Sequence, residues 1–316
     1  MRDNKKSPSI LETNLMYLSV ALLLITLGSK AQSREIYTGL LITEYLIILL
    51  PILLYLKLKD YSIVHNLKLN KISFKQAVLI LFIVMFSYPV AVFFNFIGIT
   101  ILSKFIQIRP TTVPIPSTWK QFLVGFLVIG LTPGICEEIM FRGMIMGSYE
   151  SLGKRKAIIY SAILFGLFHF NAQNLFGPIY LGILFGIIAY KTNSLFSTIL
   201  GHTVNNTIAL TIGYIIDNIG KKNEPSIELM PQIAVMLSSL LVLGIVALLF
   251  GFLVYRLIKL LPNNDENEIL EINGFVSGEF LIEDMNMKKG LSIAESIPIF
   301  LVVFIFIIIN YKYLFI

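Results

Sequence analysis

Residues 119–149 read WKQFLVGFLVIGLTPGICEEIMFRGMIMGSY, an apolar run of bilayer length broken by Glu137, Glu138 and Arg142. About twenty predominantly apolar residues are enough to cross a hydrocarbon core, so the run reads as a transmembrane helix. A charged side chain at the centre of such a helix costs roughly 2.5 to 3.5 kcal/mol on insertion scales. Charges gathered this closely must partner one another or line a polar site within the membrane, and both outcomes mark them as functional candidates.

The rest of the chain has the same character. It is 56% hydrophobic and 14% charged over 316 residues, with a mean hydropathy of +0.80. These values describe a polytopic membrane protein rather than a soluble domain. Apolar runs predict helices at about 13–29, 38–57, 76–103, 119–149, 157–171, 178–190, 195–218, 231–260 and 294–312. The expected fold is all-α, a polytopic transmembrane helix bundle of about nine membrane segments, with the runs at about 157–171 and 178–190 short enough to be partial or shielded spans. Three regions follow: N-terminal transmembrane helices over 1–118, a core over 119–219, and C-terminal helices over 220–316 with an acidic cytoplasmic insert at 261–293.

The net charge of +6 does not indicate nucleic acid, because the lysines and arginines lie mainly in short loops beside apolar runs, where they orient a membrane protein. Their distribution favours a cytoplasmic N-terminus by about two to one. The expected location is the cell membrane, multi-pass. The first run lacks a convincing cleavage signal and reads as a signal anchor. A single cysteine, Cys136, excludes an internal disulfide framework, and within an apolar helix it reads as a small hydrophobe rather than a nucleophile.

Spacing organises the polar residues. Glu138 and Arg142 stand at i and i+4, acid first, and can neutralise each other as a structural ion pair. Glu137 is turned about 100 degrees away and keeps a carboxylate free for proton transfer. Pro133 and Gly134, just before, can bend or restart the helix. Phe165 and His169 share one helix face, as do His202 and Asn206. A carboxylate near a histidine can deprotonate water, while a second histidine and an amide can hold the oxyanion of a tetrahedral intermediate. Those are the parts of a peptide hydrolase. His169, His202 and Glu137 are equally a Zn²⁺ ligand set with an open position. The residues leave both chemistries open. Glu44, an acid within the second run, has no assigned role.

The ordered set Glu-Glu-x-x-x-Arg, Phe-x-x-x-His and His-x-x-x-Asn, at Glu137, Glu138 and Arg142, then Phe165 and His169, then His202 and Asn206, resembles the CPBP (Abi) family of intramembrane proteases, whose best-known member is the type II CAAX prenyl endopeptidase. The resemblance covers about residues 119–219. It implies an intramembrane endopeptidase, a hydrolase acting on a membrane-associated protein or peptide. Glu137 and His169 would activate the water, His202 and Asn206 would stabilise the oxyanion, Glu138 with Arg142 would hold the helix, and Phe165 would wall the site. The family is labelled metalloprotease, yet a metal-independent mechanism is also read for it. The competing class is a non-catalytic membrane immunity or scaffold protein that acts by partner binding. The implied partners are the bilayer and a membrane protein or peptide substrate, with no nucleic acid.

Overall fold

The computed structural model describes residues 7–106, 108–109, 113–220, 232–262 and 288–315. Most of the acidic insert, the basic residues Arg2, Lys5 and Lys6, and Lys221 and Lys222 lie outside them. The described residues form helices and no strands. Among the described residues the long helices are α1 (Ile10–Arg34), α2 (Ile36–Leu58), α3 (Phe74–Leu102), α4 (Trp119–Leu152), α5 (Lys154–Phe168), α6 (Phe176–Thr192), α7 (Leu195–Gly220), α8 (Gln232–Leu260) and α9 (Ile293–Phe315).

Seven of them, all but α5 and α6, are long and apolar enough to cross a membrane, so the expected count of about nine membrane segments is not confirmed. At 15 and 17 residues, α5 and α6 reach only about 22 and 26 Å at 1.5 Å per residue, short of a hydrocarbon core about 30 Å thick. Most of α6 is buried, as expected of a helix enclosed by others. On the outside of the bundle, Leu237, Leu241, Leu248, Leu249 and Phe252 of α8 stand exposed, an apolar surface suited to lipid.

Local chemistry sets the helix starts. Ser9 accepts from the backbone N–H of Glu12 at 3.3 Å while the Glu12 carboxylate takes the Ser9 N–H at 3.0 Å. Ser73 with Gln76 and Thr118 with Gln121 repeat this reciprocal cap at α3 and α4. Each satisfies backbone donors that a helix start leaves open. The first two place α1 and α3 a little earlier than hydropathy alone predicts.

The helix α4 does not break at Pro133. A widened π turn over Phe126–Leu131 precedes it, and the Thr132 hydroxyl donates to the Leu127 carbonyl at 2.9 Å. A second π turn spans Ile139–Ile145. Gly134 serves close packing against α7: a Cβ there would lie 2.5 Å from the Thr203 hydroxyl and 3.2 Å from its backbone nitrogen. The helices α5 and α6 meet equally closely, since a Cβ on Gly182 would lie 2.7 Å from Ala162 Cα. The first glycine brings α7 against the charged stretch of α4, and the second sets α6 against α5.

At one end of the bundle the described end of the acidic insert docks on the α4–α5 junction. The Lys288 N–H donates to the Ser151 carbonyl at 3.1 Å, and Lys288 pairs with Glu295 on α9. At the start of α1, Glu12 lies 3.3 Å from Lys59, just past the end of α2.

Candidate active site

Glu138 is the centre of the site. It is fully buried, and its Oε1 accepts from Arg142 Nη1 at 2.7 Å and from His202 Nδ1 at 2.9 Å. The expected i,i+4 pair is therefore present and has a third member brought from α7. Arg142 is held on its other side by the Gly182 carbonyl, 3.3 Å from Nη2. Its guanidinium lies over the rings of Phe165 and Phe185, 4.6 and 5.3 Å from their centroids. Planar geometry and several donors suit arginine to such a buried crossing of contacts.

The partner of Nδ1 decides the orientation of His202. A carboxylate engaged with Arg142 only accepts, so Nδ1 carries the proton and Nε2 faces the other way. There it meets Glu137, whose Oε2 lies 3.9 Å off, too far for a direct hydrogen bond. That oxygen is buried and has no hydrogen-bond partner. The ring stacks on Phe185 with centroids 5.6 Å apart. Glu137 thus keeps an uncommitted carboxylate oxygen opposite an aligned imidazole.

His169 sits just past the last residue of α5 and is exposed. Its Nδ1 lies 2.9 Å from the Phe165 carbonyl, an acceptor only, which leaves Nε2 as the free nitrogen of the neutral ring. Phe165 meets both imidazoles at right angles, His169 at 5.2 Å and His202 at 5.7 Å between centroids. The ring thus touches both imidazoles, as a wall of the candidate site would.

Asn206 donates to the Ile129 carbonyl at 3.1 Å, in the first π turn of α4, and its Oδ1 accepts from Asn205 at 3.2 Å. One of its two N–H bonds is thereby committed to the backbone. Asn205 is the more buried amide, and its Oδ1 has no hydrogen-bond partner. Glu44 on α2 is also buried, interacts electrostatically with Glu137, and has an Oε2 without a hydrogen-bond partner. The one signal that could have marked it is an acid in an apolar run. Cys136 is fully buried and reduced.

Among the described residues, no three His, Cys, Asp or Glu side chains gather closely enough to hold a metal ion. The zinc set of His169, His202 and Glu137 does not fit this arrangement, and the chemistry derived for the site uses no metal.

Residues 119–208 match the family model for Type II CAAX prenyl endopeptidase Rce1-like. Over this stretch the chain is similar to that family. The matched stretch runs from the start of α4 into α7 and contains every residue of the Glu137, Glu138, Arg142, Phe165, His169, His202 and Asn206 set. The family is one of CAAX-type intramembrane proteases, in keeping with the seven membrane-length helices. No curated protein and no solved structure matches the chain. The helices α1–α3, α8 and α9 lie outside the matched stretch.

Proposed function

We propose that the protein is an intramembrane endopeptidase that hydrolyses a peptide bond of a membrane-associated protein or peptide with water activated by Glu137 and His169. The observation that carries this reading is the unpartnered Oε2 of Glu137 opposite a His202 ring aligned by Glu138. A carboxylate so placed takes a proton from water while the water oxygen attacks the substrate carbonyl carbon. His169, through its free Nε2, holds the same water. His202 Nε2 and the second N–H of Asn206 donate to the oxyanion. In that role His202 carries both protons, its charge set between Glu137 and Glu138. The proton on Glu137 then passes to the leaving nitrogen as the C–N bond breaks, and the carboxylate is regenerated.

An apolar groove of about 400 Å³ runs along α7, lined by Phe126, Leu200, Thr203, Val204 and Thr207 among others, and none of the residues given a role above lines it. The test compares protein and peptide termini in membranes containing the wild-type chain with those containing Glu137→Gln at equal abundance. Termini that vanish in the variant support the reading and identify the substrate. Identical profiles alongside an unchanged phenotype would leave a non-catalytic partner-binding protein.

A further inference from the structure

The backbone reverses immediately after His169, and it does so against its own preference. Phe170 adopts φ +47°, the left-handed region, where a bulky L side chain is an outlier. Such a conformation persists when the surroundings over-determine it. The surroundings here come from the far end of the sequence. Asn310 on α9 accepts the Ala172 N–H at 2.7 Å through Oδ1, and its Nδ2 donates to the Phe170 carbonyl at 3.3 Å and to the Phe306 carbonyl at 2.8 Å. One buried amide thus bridges both sides of the turn and ties them to the α9 backbone. The Phe306 ring stands 6.5 Å from that of Phe170.

The other side of the turn is held as well. Asn171 accepts the Gln173 N–H at 2.9 Å. Gln173 makes two hydrogen bonds to the backbone of Arg109, at 2.9 and 3.0 Å. His169 lies at the edge of this clasped turn, its Nδ1 2.9 Å from the Phe165 carbonyl and its backbone N–H donating to the Gly166 carbonyl at 3.4 Å. A side chain at the end of a helix, followed by an unfavourable backbone reversal, holds its aim only while the reversal is held.

We propose that Asn310 is a positioning residue for His169: by clamping the turn Phe170–Ala172 it fixes the end of α5 and the direction of the His169 imidazole. Residue 310 lies about a hundred residues beyond the family-matched core, so α9 completes the site from outside it. The inference rests on the proteolytic reading above.

Two variants test it. Asn310→Ala removes the clamp from α9. Ala172→Pro removes the same hydrogen bond from the turn, and the backbone accepts it: Asn171 is extended at φ −131° and ψ 108°, the conformation favoured before proline, and Ala172 opens a helical turn, where proline is tolerated. The assay is cleavage of the substrate identified with Glu137→Gln. Each variant is expected to lower kcat between about 10- and 100-fold with KM unchanged, the range that misplacement by about 1 Å can produce. The double variant should lose no more than either single one. Asn310→Asp, which keeps the oxygen that takes the Ala172 N–H, should retain more activity than Asn310→Ala.

A second readout is independent of turnover. Diethyl pyrocarbonate labelling of the purified protein should change at His169 in both variants, while exposed His65 and buried His202 keep their wild-type rates. Wild-type kcat in either variant overturns the proposal, and so does a loss of kcat without a change in His169 labelling. Should Asn310→Ala fail to accumulate, Ala172→Pro decides alone. Failure of the proteolytic reading has a different signature, unchanged termini in Glu137→Gln, and it removes the catalytic claim whatever the turn does.

Discussion

Replacing Arg142 separates what the Glu138 cluster does for stability from what it does for chemistry. In Arg142→Met the Glu138 carboxylate, fully buried, loses its cation at 2.7 Å. Breaking a buried pair from one side costs about 3–5 kcal/mol, because the surviving charge is left uncompensated. The ring contacts at 4.6 and 5.3 Å are lost with it and lie within that figure. The double variant Arg142→Met/Glu138→Leu removes both charges and the penalty, but leaves the His202 Nδ1–H without its acceptor, at a cost of about 1–3 kcal/mol. A net recovery of about 2 kcal/mol over Arg142→Met follows. Heating the purified proteins in detergent and measuring the fraction that stays monodisperse checks this order, with cellular abundance as a second reading. Activity should remain absent in the double variant, since nothing then aligns His202. Full activity there would refute the orienting role of Glu138, and an Arg142→Met as stable as wild type would refute the buried pair itself.

The packing and the aromatic wall yield two further expectations. Gly182→Ala places a methyl 2.7 Å from the Ala162 backbone, so α6 must shift from α5 and draw its carbonyl away from Arg142; a loss of about 1–3 kcal/mol is expected, read in the same heating assay, and unchanged stability would contradict the close approach. Phe165→Leu keeps an apolar side chain but removes the ring that meets both histidines and lies beneath the guanidinium. It should accumulate nearly as wild type yet cleave markedly more slowly, and wild-type cleavage would reduce Phe165 to filler.

What could be read from sequence is what local physics determines. The long apolar runs gave the seven membrane-length helices, and i,i+4 spacing gave the Glu138–Arg142 pair. The caps at Ser9 and Ser73 were equally local, and their Ser-x-x-Glu and Ser-x-x-Gln spacing would have corrected the starts of α1 and α3. The π turns flanking Pro133 are less accessible, because they reflect how α4 accommodates a missing N–H and the nearby α7 together. The remainder depends on distance along the chain. Nothing in the spacing of His202 indicates that it shares an oxygen with Arg142, and reading Glu138 as only structural follows from that gap.

Asn310 carries the same point further. An amide in an apolar helix signals a hydrogen bond within the membrane but not its partner, and here the partners lie about 140 residues earlier in a turn whose left-handed Phe170 has no sequence signature. In the proposed mechanism the motif residues supply the reactive groups, whereas the turn that aims one of them is held by a helix outside the motif. Helices beyond a family core can therefore bear on catalysis without contributing a reacting atom. In this chain α9 does so through a single buried amide, and for that reason substitution at Asn310 discriminates more sharply than removal of the whole helix, which would also strip the α1–α9 contact between Asn14 and the Glu295 carbonyl.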